Sequence, residues 1–140
     1  MSKQLQLADV GLIGLAVMGE NLVLNMNDHG YRVCVFNRTT SKIDDFLKNR
    51  ANGTNVIASY SVEEFVSKLK TPRIIILMVM AGKPVDEYIA KLIQLLNHGD
   101  IIIDAGNSDF TDTQVALVNN RTRDAIVNYW RKKYFLLAAA

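Results

Sequence analysis

Three small residues, Gly14, Ala16 and Gly19, stand where the apolar run Val10-Gly11-Leu12-Ile13 gives way to residues of helical period. That spacing constrains the fold more than any other feature of the chain. A strand that turns directly into a helix needs a first residue able to make a tight turn. It needs a second that lets backbone approach a ligand, and a third small enough for the helix to lie close on the strand. Gly14, Ala16 and Gly19 meet these needs, with alanine where a second glycine is usual. The helix then starts with unpaired N–H groups and the positive end of its dipole at the turn, which favours an anion. The pattern at a strand-to-helix junction points to the pyrophosphate of a dinucleotide. The same spacing could also serve only to pack a strand against a helix.

The rest of the chain supplies the context that a dinucleotide site requires. Short uncharged runs, at residues 7–13, 32–36, 55–58, 74–79 and 101–104, read as strands, most of them rich in β-branched residues. Segments of helical period lie between them. Met18, Leu22 and Met26 line one that ends at Gly30, a residue able to take the left-handed conformation that closes a helix. A second helix is expected from Ser41 to Arg50, with Ser41 and Asp44 at capping-box spacing. A third starts at Ser61, with Glu64 as box partner, and buries Val62, Phe65, Val66 and Leu69. Pro84 suits the first turn of a fourth helix carrying Val85, Ile89, Leu92, Ile93 and Leu96. Thr111 or Asp112 would cap a fifth. Strands alternating with helices predict an α/β, Rossmann-like fold, a mainly parallel sheet with helices on both faces.

Cofactor choice is read at the end of the second strand, about 20 residues past the turn, where an acid would hold the 2′-hydroxyl of NAD. This chain has Asn37-Arg38-Thr39 there, and no carboxylate. Arg38 offers a planar cation with several donors, suited to the 2′-phosphate of NADP.

Gly14-Leu15-Ala16-Val17-Met18-Gly19, then Asn25 and Phe36-Asn37-Arg38-Thr39, resemble the N-terminal cofactor domain of the decarboxylating 6-phosphogluconate dehydrogenases. The likeness continues through Ser67 to Arg73, Val79-Met80-Ala81-Gly82 and Gly99 to Ser108, and ends near Thr113. The β-hydroxyacid dehydrogenases are the second choice, because their turn usually keeps a central glycine. The resemblance implies NADP-dependent oxidation of a C3 hydroxyl and decarboxylation to ribulose 5-phosphate, within the pentose phosphate pathway. It implies that Gly14, Leu15, Ala16, Val17, Met18 and Gly19 cradle the pyrophosphate, and that Asn37, Arg38 and Thr39 hold the 2′-phosphate. Val79, Met80 and Ala81 would line the nicotinamide side, and Asn107 would sit between cofactor and sugar phosphate. Met80 departs from the family's usual lysine, and Ala105 from its usual glycine. The family's Ser-Gly-Gly substrate loop and its catalytic lysine and glutamate have no counterpart here, so the chain alone is expected to be inactive and to bind 6-phosphogluconate weakly.

Beyond Ala116 the likeness lapses. Residues 1–118 are expected to form the NADP-binding domain and 119–140 a divergent tail, read as a basic amphipathic helix with Ile126 and Trp130 on one face. A final strand at Tyr134–Leu137 is the other reading. The tail would dock on the domain or on a second copy, giving a homo-oligomer. In the competing reading the fold is a non-catalytic scaffold that uses the tail to self-associate. A net charge of +2 does not call for a nucleic acid, and basic helix faces are usually just solvated. Cys34, the only cysteine, cannot form an internal disulfide and reads as a buried apolar group. No apolar run is long enough to cross a bilayer and the first residues lack the apolar core of a signal peptide, so a soluble, cytoplasmic protein is expected.

Overall fold

A computed structural model describes residues 6–80, 83–105 and 114–117. The strands are β1 (Val10–Ile13), β2 (Val33–Phe36), β3 (Ile57–Ala58), β4 (Ile74–Leu77), β5 (Ile101–Asp104) and β6 (Gln114–Leu117). The helices are α1 (Val17–Asp28), α2 (Thr40–Lys48), α3 (Val62–Ser67) and α4 (Lys83–Ile93). The strands form one sheet in the order β3-β2-β1-β4-β5-β6. The first five run parallel, and β6 pairs antiparallel with β5 from Ile101↔Leu117 to Asp104↔Gln114. β6 stands where a fifth helix was expected, so a cap-like Thr111 or Asp112 was a misleading signal: four residues that pair with an open sheet edge gain a backbone ladder directly.

Every residue of β1 and β2 is buried, as expected for strands covered on both faces. The helices lie on opposite sides. A Cβ built on Gly11 would overlap the Phe65 ring of α3, whereas one on Gly19 of α1 comes within 3.5 Å of Leu12. Gly11 and Leu12 are consecutive strand residues and point to opposite faces, so α3 covers one and α1 the other. Leu12, Ile13, Val23, Ile43, Phe46, Phe65, Ile75, Leu77, Ile89, Leu92 and Ile102 form the fully buried centre.

The element ends differ from the sequence expectation for identifiable reasons. β1 starts at Val10 rather than Leu7 because the Asp9 and Val10 N–H groups both donate to the Arg32 carbonyl. The Asp9 carboxylate also accepts from the Arg32 N–H (2.8 Å) and Lys70 Nζ (2.7 Å). β3 is short because Thr54 Oγ1 donates to the Ala51 carbonyl (2.6 Å) and accepts from the Val56 N–H, holding that stretch as a turn. α2 starts at Thr40, capped by Thr39 with no side-chain bond, so the expected Ser41–Asp44 box does not form. Ser61 does cap α3, its Oγ accepting from the Glu64 N–H at 3.1 Å; the return bond from Glu64 reaches the Tyr60 N–H. Gly30 closes α1 at φ +90°, as expected. The tail at 119–140, with either of its two readings, lies outside the described residues. Among the described residues no helix is long and apolar enough to cross a membrane.

Candidate functional site

The chain runs outward from β1 to β2 and β3, then returns to place β4 on the other side of β1. Such a reversal leaves a crevice at the carboxyl ends of the strands, and ligands of open α/β sheets bind there. A cleft of about 430 Å³ occupies this position. Ala16 from the glycine turn, Phe36, Asn37 and Arg38 from the end of β2, and Met78, Val79 and Met80 from the end of β4 line it. Lys42 of α2, Val62 of α3 and one face of α4 complete the wall.

The glycine turn is built as its residue types require. Gly14 has φ +111°, and a Cβ there would overlap the Met78 carbonyl, so only glycine lets the turn close against β4. A Cβ on Gly19 would overlap the Gly14 carbonyl, which puts the first turn of α1 directly on the loop. Ala16 is the N-cap of α1, and its methyl cannot bond the first-turn N–H groups. Those groups are left to water or a ligand. Glu20, the acid in that turn, is held by Arg50 at 3.2 Å. Val17 and Met18 are 70% and 71% exposed beside the turn, and Met80, on the cleft wall, is 80% exposed.

Asn37 links the turn to β2. Its Oδ1 accepts from the Leu15 N–H at 2.8 Å, and its Nδ2 donates to the Thr39 carbonyl at 2.9 Å. This amide, expected beside a 2′-phosphate, shapes the loop and the start of α2. Next to it, Arg38 is exposed and makes no ion pair among the described residues. Thr39 caps α2 through its backbone, leaving its hydroxyl out of the cap.

Several contributors escaped the sequence reading. Lys42 and Lys91 add two cations to Arg38 on the cleft, with Glu87 as the acid among its lining residues. For Lys42 a signal existed: it sits in the first turn of α2, which carries no acid, although a cation there opposes the helix dipole. Part of the apolar lining is aromatic. Phe36 packs edge-on against Tyr88, with centroids 6.3 Å apart, and also contacts Phe65 at 6.5 Å. Burial raises the Tyr88 phenol, and nearby Arg38 partly offsets this.

Other candidates fall into structural roles. Ala105 continues the sheet, its N–H donating to the Leu77 carbonyl at 2.9 Å. His29 Nδ1 lies 2.8 Å from the Asn25 carbonyl at the end of α1, and neither histidine lines the cleft. Cys34 is buried in β2, as expected. No group of acidic, histidine or cysteine side chains able to hold a metal occurs among the described residues. Ala81 and Asn107 lie outside the described residues.

Comparison with known proteins agrees with this geometry. Residues 9–126 match the family described as the NAD binding domain of 6-phosphogluconate dehydrogenase. Over 106 residues, the chain is 66% identical to the decarboxylating 6-phosphogluconate dehydrogenase of Ovis aries and 65% identical to that of Homo sapiens. Each match covers 76% of this chain and 22% of the relative, so the chain spans about a fifth of the length of these enzymes. A solved structure of Plasmodium falciparum 6-phosphogluconate dehydrogenase superposes with a TM-score of 0.69 at 37% identity, covering 93% of this chain and 26% of that one. That enzyme is described in its apo form, in complex with its cofactor NADP+ and in complex with its substrate 6-phosphogluconate. A diketoreductase, 11% identical with a TM-score of 0.54 over 93% of this chain and 62% of that one, shares the fold.

Proposed function

The chain belongs to the family of NAD-binding domains of 6-phosphogluconate dehydrogenase, and from that premise we propose that its cleft binds NADP. The observation that carries the reading is the set of cations at the end of β2: Arg38 and Lys42 flank the amino end of α2, which has no side-chain cap, in the same cleft as the glycine turn. A dianionic phosphate ester fits that place, since it meets two cations and the positive end of a helix dipole together. The fit at the turn is equally specific. A side chain on Gly14 or Gly19 would fill the space that the loop needs.

In this reading the first turn of α1 and its loop, Gly14 through Gly19, cradle the pyrophosphate, and Arg38 with Lys42 and Thr39 holds the 2′-phosphate. Asn37 holds the loop itself. Phe36, Val62 and Tyr88 offer an apolar wall for the base, while Val79 and Met80 line the nicotinamide side with an uncharged surface. Ala81 and Asn107 are proposed for the positions the family resemblance gives them. A nicotinamide dinucleotide supplies a hydride acceptor. The chain's own residues orient it at the carboxyl edge of the sheet.

The oxidation and decarboxylation of 6-phosphogluconate is proposed as the reaction this site serves. The 140 residues by themselves are expected to produce no NADPH from that substrate, since proton removal from its hydroxyl needs a base at the reacting atom. Calorimetric titration with NADP and then NAD, repeated on Arg38→Ala, tests the cofactor reading. Charge-assisted hydrogen bonds contribute about 1.5–3 kcal/mol, so NADP affinity should fall by roughly 10- to 100-fold with NAD affinity unchanged. Equal affinity of the unaltered chain for both nucleotides, or equal losses in the variant, would refute it.

A further inference from the structure

The amino end of α2 presents an electrostatic problem when no anion is bound. Arg38 and Lys42 lie at the positive end of the helix, its first turn has no acid, and Thr39 makes no side-chain cap. Burial of Ile43 and Phe46 fixes the middle of the helix. Polar contacts beyond its last turn hold the other end, where Arg50 reaches Glu20 at 3.2 Å and Asn21 at 2.6 Å. At the amino end the Asn37–Thr39 bond is one tether. A second grips the helix at Asp44, between Ile43 and Phe46, from the residue that precedes the cap of α3: Tyr60 Oη donates to Asp44 Oδ1 at 2.7 Å.

Tyr60 is itself braced. Its N–H donates to Glu64 Oε2 at 3.1 Å, and Lys68 Nζ donates to Glu64 Oε1 at 2.6 Å and to the Ala58 carbonyl at 2.7 Å. The end of β3, the cap of α3 and Tyr60 therefore form one connected unit that reaches across to α2. Tyr60 is 46% exposed, so core packing does not account for a large aromatic ring here. A rigid spacer ending in a donor does. The contact also keeps Asp44, two residues beyond Lys42, turned to the α3 side.

We propose that Tyr60 is a positioning residue for NADP: through its hydrogen bond to Asp44 it sets the amino-terminal turn of α2, and with it the Arg38–Lys42 pair that receives the 2′-phosphate. This rests on the cofactor reading above. The contact lies outside the cleft lining and acts on α2, which carries Lys42 and directly follows Arg38, so its effect falls on NADP more than on NAD. Tyr60→Phe removes the hydroxyl and keeps the ring. Titration should show roughly a fivefold loss of NADP affinity, the size of one ordinary hydrogen bond, with a smaller change or none for NAD. Asp44→Asn keeps the acceptor oxygen and should keep the NADP preference. Equal losses for both nucleotides in Tyr60→Phe would assign Tyr60 a general structural role and overturn the proposal. So would an unchanged NADP affinity, or an Asp44→Asn variant that loses the preference. If the unaltered chain shows no preference for NADP, the cofactor reading fails first and takes this proposal with it.

Discussion

Gly19→Ala tests whether the close contact between α1 and the glycine turn is what the fold requires. Alanine in place of glycine inside a helix normally stabilises by up to about 1 kcal/mol, because the unfolded chain has less freedom to lose. Here the added Cβ overlaps the Gly14 carbonyl oxygen and lies 3.1 Å from its carbon. Both are backbone atoms, so no rotamer change relieves the clash. The helix must lift from β1, against the burial of Val23, or the turn must open. Overpacking of this kind costs about 1–3 kcal/mol, and immovable atoms put it at the upper end. The propensity gain offsets part of that, leaving a net loss of about 2 kcal/mol. For a chain of this size the melting temperature should fall by about 5–10 °C. Gly30→Ala is the control: its φ is +90° but nothing lies within 4 Å, so it carries only the backbone strain of roughly 1–2 kcal/mol. Circular dichroism melts of both variants, with NADP titration of each, separate the two effects. Gly30→Ala should keep nucleotide binding and Gly19→Ala should lose it. A Gly19→Ala protein as stable as the parent that still binds NADP would refute the reasoning.

Asp100 is 1% exposed and accepts from the Arg73 N–H, the Asn97 N–H and the Arg73 guanidinium at 3.1 Å. Asp100→Ala should cost about 3 kcal/mol in urea denaturation, because it strands a largely buried cation, and a loss below about 1 kcal/mol would count against this. Burial raises the Cys34 thiol to about 11; it should not react with Ellman's reagent at pH 8 until the chain unfolds, and fast labelling of the native protein would contradict its placement. Hydrogen bonding from Lys68, then from the Tyr60 N–H, lowers the Glu64 carboxyl below 4.5, as Lys70 and then Arg32 lower Asp9 below 3.8. The unfolded chain therefore takes up these protons first. The stability they confer is complete above about pH 4.5 and is lost as pH falls through the lowered values. Glu64→Gln should flatten that dependence between pH 5 and 3, and an identical slope in the variant would dismiss the assignment.

Much of this architecture was legible in the residues. Uninterrupted apolar runs such as Val33–Phe36 mark strands buried on both faces, and the spacing of Gly14 and Gly19 marks the close strand–turn–helix contact that the structure shows. What escaped depended on contacts between distant segments. The Ser41–Asp44 pattern is a valid capping signal, but Asp44 is engaged by Tyr60, sixteen positions away. β6 is defined by the edge of β5 rather than by its own four residues. Glycine inside an apolar strand was the available sign that Gly11 admits Phe65 from α3. At the site, Arg38 could be read because strand ends have a known relation to the glycine turn, whereas Lys91 and Tyr88 enter only because α4 folds back over the cleft.

The double engagement of Asn37 bears on how such a chain can change over generations. One short side chain closes the glycine turn through Leu15 and sets the start of α2 through Thr39, right beside Arg38, the cation proposed to select the nucleotide. An aspartate there, the substitution that favours a 2′-hydroxyl, would keep the acceptor for Leu15 but bring a carboxylate against the Thr39 carbonyl, where the amide now donates. Any lineage that exchanges one nucleotide for the other must therefore rebuild the loop and the helix start in concert, and preference becomes a trait inherited with the architecture rather than one that drifts a residue at a time.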